Sequence, residues 1–455
     1  MTTSIAANAA AGPSATATPA TPTGPAGAAG QAGAAGQAGA AGAKSRGLRS
    51  LAGPVVIAVA IQSVGNLLFH GLAGRWLTAA EYGALGALLA ATTALAVPLG
   101  ALQAAAAGVV AKHGTGRATA TGLLRSTALW SVFGALLLLP LAPVLDSWWH
   151  LGSWALAALV LPYAAVSAVL ATARGILLGA SATRPVAATY LSSTGARLVL
   201  GIALTPWLGV AGALLATVAG EAAALATGLV ATRSICTAIG ERARLGLAGL
   251  LRPAAAVTGL FLLSTVDLLL ARHFLAPSDS GSYVAAATLG KTVLALPAAV
   301  VAVMYPTLVT AWPEGDRWAA LRRTLIGVSG SAWAVALVAL VVPGLLLSVL
   351  YGNTYDGAET LVRALIAIAA LTSTASVLTY SALARGSRWM WLSWVGAALE
   401  VCLVLLWHDS PMAIAGASAG AVVPTVLALL LLELPAWRAR RNGLAAKASP
   451  MLHRA

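Results

Sequence analysis

The chain of 455 residues is 59% hydrophobic and 9% charged, with 27 Lys and Arg against 13 Asp and Glu. A soluble domain carries about 25% charged residues, so a water-soluble core of this size could not be covered by polar surface, and a soluble enzyme is excluded. The positive excess would suggest nucleic acid in a soluble chain; here it falls in short stretches between long apolar runs and reads as membrane topology, with no nucleic-acid partner.

The first 43 residues hold no Asp, Glu, Lys or Arg and include the near-repeat GQAGAAGQAGAAG. Such a tract has no large side chains to offset its ordering entropy, so 1–50 is expected to be a disordered tail. It lacks the basic start and apolar core of a signal peptide and is expected to stay uncleaved. Twelve apolar segments follow, roughly 51–73, 82–110, 122–145, 154–178, 186–206, 209–231, 253–273, 281–310, 325–350, 359–384, 388–407 and 411–436. A spanning helix needs about 20 apolar residues, so each segment is long enough or nearly so. Pro98, Pro140, Pro297 and Pro343 lie in or near the ends of segments 2, 3, 8 and 9, where a break survives only if protein or a water-filled cavity satisfies the freed carbonyl.

Alternate loops are basic: Lys44, Arg46 and Arg49; Lys112, Arg117 and Arg125; Arg174 and Arg184; Arg233, Arg242, Arg244 and Arg252; Arg317, Arg322 and Arg323; Arg385 and Arg388; and the tail after Trp437. The opposite side carries Arg75, Arg272 and Arg363. The positive-inside rule places the basic loops and both termini in the cytoplasm. Trp76, Trp148, Trp149, Trp154, Trp207 and Trp407 mark the outer interface, and Trp312, Trp318, Trp389, Trp391 and Trp437 the inner one. Cys236 falls in a basic loop and Cys402 in an apolar segment near the other face, so no disulfide is expected.

The longest basic loop divides the chain evenly. Arg75, Gly83 and Pro98 in the first half recur as Arg272, Gly281 and Pro297 in the second, each in the outer loop and second helix of its half. The expected fold is an all-α membrane protein of about twelve transmembrane helices in two six-helix bundles, related by a parallel internal repeat. The expected organisation is a tail (1–50), a first bundle (51–232), a basic linker (233–252), a second bundle (253–437) and a basic tail (438–455). In transporters built on repeats, the substrate site lies between the repeats near the midplane.

The stretch GRWLTAAEYGALGALLAATTALAVPLGAL (74–102) resembles the helix 1–2 region of polysaccharide and O-antigen-unit flippases, which carry a Leu-x-x-x-Glu-Tyr-Gly pattern like Leu77–Gly83 here. The second half resembles the family again in VDLLLARHFL, in Gly281-Ser-Tyr283, in LPAAVVAVMYPTLV and in LYGNTYDGAETLVRAL. This family belongs to the multidrug/oligosaccharidyl-lipid/polysaccharide exporter superfamily, with the multidrug/cation antiporters and the lipid II flippase; the last usually has fourteen helices, against the twelve counted here. The resemblance implies a cavity lined by helices 1, 2, 7 and 8.

No HExxH, P-loop or CxxC motif occurs, so neither an enzyme, a metal site nor a cofactor is expected, and no ATP hydrolysis. The six His residues fall at helix ends, in loops or in the tail. The chemistry lies in ionisable residues within spans, each costing roughly 2.5–3.5 kcal/mol at the bilayer centre. Arg197 and Glu221, on adjacent antiparallel helices at about 15 and 20 Å depth, are expected to pair. Asp267 and Lys291, at about 10 and 15 Å, flank the repeat axis. Gln62, Asn66 and His70 form one stripe on helix 1 by their spacing of four. Glu400 has no local partner in sequence and reads as a protonated core residue or a proton relay. The expected substrate cavity comprises Gln62, Asn66, Asp267, Lys291, Arg197 and Glu221.

The function these features and the resemblance imply is movement of a lipid-linked sugar intermediate across the cytoplasmic membrane for polysaccharide assembly. The expected partners are a lipid-linked oligosaccharide, membrane lipids, and a proton or sodium ion as the coupled species. The alternatives are a multidrug/cation antiporter of the same superfamily and a non-transporting membrane scaffold of a biosynthetic complex.

Overall fold

The computed structural model describes residues 45–236, 248–291, 314–355, 357–384 and 387–448, and over these residues it is helical with no strand. The helices, in chain order, are α1 (Ser45–Trp76), α2 (Ala79–Ala94 and Ala96–His113), α3 (Arg117–Leu138), α4 (Trp154–Ala158 and Val160–Gly179), α5 and α6 (the arms of Thr183–Ile235), α7 (Ala248–Leu263 and Val266–Phe274), α8 (277–291), α9 (Glu314–Val341), α10 (Glu359–Ala384), α11 (Leu392–Leu406) and α12 (Pro411–Ala448). Two short helices extend α3 and α9: Ala142–Trp149, the α3 tip, and Pro343–Tyr351, the α9 tip.

Among the described residues, eight helices are long and apolar enough to cross a bilayer, or ten if each bent pair counts as one span. One of the eight is Thr183–Ile235, which folds back on itself at Gly209 (φ 55°), a backbone conformation open to glycine. Its arms touch along their length, so that a Cβ at Gly220 would meet the carbonyl of Ser193 at 2.8 Å. With α8, whose far end lies outside the described residues, the order is that of the expected twelve crossings. Pro297 and LPAAVVAVMYPTLV lie outside as well.

Prolines set the breaks. Pro98 cannot donate to the carbonyl of Ala94, and α2 divides at Leu95, just above it, where Thr92 and Thr93 return their hydroxyls to the carbonyl of Leu89. Pro140 and Pro143 end α3 in a 3-10 turn before its tip. Pro343 turns the α9 tip by 83°. α7 bends by 44° without proline. There Ser264 and Thr265 both donate to the carbonyl of Phe261, a side-chain competition that bends helices.

The ends differ from expectation. α1 starts at Ser45, inside the segment read as a tail, and α12 runs through the basic tail to Ala448. The second stretch, RARRNGLAAKA, is rich in Ala and Arg, strong helix formers that need no membrane to coil. α6 extends to Ile235 and α7 begins at Ala248, so helix takes up both ends of the expected linker. Residues 1–44, 237–247 and 449–455 lie outside the described residues.

In the first half α1 packs along the α5–α6 hairpin, and α4 lies between that hairpin, α2 and α3; in the second, α10 and α11 flank α12, with α9 against α10 and α7 against α11. Large apolar side chains such as Leu129, Trp130 and Leu137 point outward from α3, as a lipid-facing surface requires. The largest core joins the halves through Tyr82, Leu85 and Leu88 on one side and Tyr283, Val284, Tyr351 and Val362 on the other. A smaller core around Val55, Leu177 and Tyr190 belongs to the first half alone. The chain therefore has two ends: a tryptophan end, where α1 stops at Trp76, the α3 tip at Trp149 and α11 before Trp407, and a basic end with Lys112, Arg117, Arg184 and Arg388.

Candidate functional site

Two polar clusters lie inside the helical bundle, one in each half. In the first, α1 presents Gln62, Asn66 and His70 on one stripe. Arg197 of α5 donates from Nη1 to Asn66 Oδ1 and stacks 4.0 Å from the centre of the Phe69 ring. Glu221 of α6 accepts from the Ser193 hydroxyl at 2.9 Å. The expected Arg197–Glu221 ion pair is not formed. At Gly220 the hairpin arms approach so closely that a Cβ there would sit 3.0 Å from Arg197 Cβ, leaving no room for the long side chain between them, and Arg197 turns to α1. Arg197 Nε and Gln62 Oε1 are buried without a partner.

In the second half, α7, α8, α10, α11 and α12 border a small cavity lined by Asp267, Lys291, Glu400, Ser418, Thr372 and Ser264. Asp267 and Glu400 are buried, and Lys291 is half-buried. Tyr283 donates to Asp267 Oδ2 at 2.9 Å, while Asp267 Oδ1, Glu400 Oε2 and Ser418 Oγ have no partner. Three acceptor-bearing side chains thus converge on one space, with one ammonium among them. This arrangement can hold a proton or cation between carboxylates, because an unpaired buried charge is costly until neutralised.

The six expected cavity residues therefore fall into two groups: Gln62, Asn66, Arg197 and Glu221 in the first half, and Asp267 and Lys291 in the second. Glu400, which has no local partner in sequence, completes the second group. Its sequence signal was its position as the one acid in the apolar run 392–406, and the partner was missing because it comes from helices far away in the chain. Arg174, counted among loop charges by sequence, is buried near the end of α4, where it donates to Thr189 and stacks on Tyr190.

At the tryptophan end the two halves meet through polar groups as well. His70 Nδ1 and the Tyr82 hydroxyl are 3.0 Å apart, and the Tyr82 and Tyr351 hydroxyls 3.3 Å, a chain that passes from α1 through α2 to the α9 tip.

Two interlocked helical halves with ionisable groups buried in each define a multi-pass helical membrane architecture. No protein-family model matches this sequence, and no curated protein does either. Solved structures match the fold. An inward-facing multidrug resistance MATE family transporter of the MOP superfamily superposes with a TM-score of 0.66 at 16% identity, over 85% of this chain and 96% of that one. The lipid II flippase MurJ in an inward closed conformation gives 0.63 at 11% identity, over 82% and 86%. A MOP superfamily transporter from Pyrococcus furiosus, described as having a binding pocket of reverse polarity, gives 0.61 at 15% identity, over 91% and 97%. The chain shares its fold with these structures.

Proposed function

We propose that this chain carries a lipid-linked sugar intermediate across the cytoplasmic membrane by alternating access, with both termini cytoplasmic. The observation that carries the reading is Arg197, a half-buried side chain whose Nη1 donates to Asn66 and whose buried Nε has no partner. A lipid pyrophosphate carries at least two negative charges and needs such donors where water is scarce. The amide stripe on α1 suits hydroxyl-rich sugar. The resemblance of 74–102 to polysaccharide flippases supports the cargo class. The Asp267–Lys291–Glu400 cavity is assigned to the coupled ion.

A second reading, multidrug/cation antiport, draws on the excess of carboxylates over bases in the second-half cavity. One reconstitution separates the two. In vesicles carrying a lipid-linked oligosaccharide, Arg197→Gln is expected to abolish flipping at normal membrane levels, with Arg197→Lys retaining part of it. Efflux of cationic drugs that survives Arg197→Gln but is lost in Asp267→Asn, with no oligosaccharide flipping by the parent chain, would make the antiporter reading the right one.

A further inference from the structure

Arg75 and Arg272 occupy corresponding places in the two halves, each in the last turn of the first helix of its half. Their partners are exchanged. Arg75 donates from Nε to the carbonyl of Leu350 at 2.8 Å and from Nη2 to that of Val349, at the end of the α9 tip in the second half. Arg272 donates from Nε to the carbonyl of Trp149 at 2.8 Å and from Nη2 to that of His150 at 2.9 Å, at the end of the α3 tip in the first half. From Nη1 it also reaches the carbonyl of Ala80 and the Ser280 hydroxyl, both at 3.1 Å.

The last carbonyls of a helix have no partner within it, and the helix dipole makes that end attractive to a cation. The prolines that detach the two tips thus create two receptors, and each half supplies the cation for the other. Directly beside them α2 and α8 cross with glycine at the contact: a Cβ at Gly83 would lie 2.9 Å from the backbone nitrogen of Gly281.

We propose that Arg75 and Arg272 form a reciprocal latch that holds the tryptophan end closed, and that this end opens by withdrawal of both guanidiniums from the tip carbonyls. The two arms are unequal. Arg272 is buried and makes four hydrogen bonds, whereas Arg75 is exposed and makes two. Arg272 is the main lock, and Arg75 the arm that releases first. The latch rests on the alternating-access reading but not on the identity of the cargo.

The test is accessibility of a cysteine inside the closed end. Ala287→Cys on α8 places a thiol at the second-half cavity, in a background carrying Cys236→Ser and Cys402→Ser. An impermeant maleimide is applied to right-side-out and to inside-out vesicles, without cargo. Arg272→Gln is expected to raise the labelling rate from the tryptophan end about tenfold, and Arg75→Gln about threefold, as the open-end population grows. If either variant fails to reach the membrane, Arg272→Lys and Arg75→Lys keep the charge, lose the planar fork, and are expected to give smaller increases in the same order. Unchanged labelling from that end in membrane-inserted variants would overturn the latch. A larger effect at Arg75 than at Arg272 would overturn the assignment of the main lock. Absence of oligosaccharide flipping by the parent chain, with the labelling shift intact, would count against the cargo reading and leave the latch standing.

Discussion

Arg197 illustrates what decides a buried charge at the scale of one residue. Its depth in sequence matches that of Glu221, yet depth alone does not choose a partner. Gly220 brings the hairpin arms together, Ser193 one turn away satisfies Glu221, and the guanidinium is left to Asn66 and Phe69. Glycine approach and side-chain length set this outcome, and neither appears in a helix-rise count. A double-mutant cycle measures it. Asn66→Ala removes a hydrogen bond to a charged group and is expected to cost about 1.5–3 kcal/mol, with strong coupling to Arg197→Met. Arg197→Met and Glu221→Gln are expected to be additive within about 0.5 kcal/mol. Thermal unfolding in detergent supplies the values, and coupling of the second pair above that limit would restore the ion pair.

At the scale of elements, the Leu-x-x-x-Glu-Tyr-Gly pattern has a physical reading residue by residue. Glu81 closes a capping box with Thr78 at the start of α2, accepting from the Thr78 backbone N–H at 2.9 Å. Tyr82 places its hydroxyl between His70 and Tyr351, and Gly83 lets α2 meet α8. The proline breaks in α2, α3 and α9 were legible because a missing N–H acts locally. The use of the α9 tip was not, because its carbonyls bond an arginine some 270 positions earlier, and no local pattern encodes such a distance. The repeat did carry a trace of it: the spacing from Arg to Gly is 8 in the first half and 9 in the second, because both residues serve the same crossing. Gly281→Ala would drive a methyl into the carbonyl of Ala79. It is expected to destabilise by about 1–3 kcal/mol, the range for overpacking, seen as a lower unfolding temperature. Gly134→Ala on α3 meets nothing within 4 Å and is expected to be neutral or to gain up to about 1 kcal/mol from helix propensity. Equal effects at the two sites would show that the α2–α8 crossing is looser than described.

For the whole molecule, composition and hydropathy carry the fold class, while loop charge carries an orientation that coordinates alone do not supply. Cys236 and Cys402 read it out. Cys236 ends α6 at the basic end, half-buried against Val110, Ala120, Leu123 and Ile176. Cys402 is exposed on α11, in the apolar run 392–406, where a lipid-facing thiol meets no water. An impermeant maleimide is therefore expected to label Cys236 from the cytoplasmic side only, and Cys402 from neither side. Burial pushes the Cys236 thiol up, with the charge of Arg117 acting against it. A raised thiol keeps the reactive thiolate scarce at neutral pH. The labelling rate should then climb about tenfold per pH unit from 7 to 8, still without a plateau. Labelling of Cys236 in intact cells would invert the topology, and with it the assignment of the latch to the outer face. A rate that levels off near pH 7 would mean that Arg117 outweighs burial, and that the basic end is more open around Cys236 than the packing of α3, α4 and α6 describes.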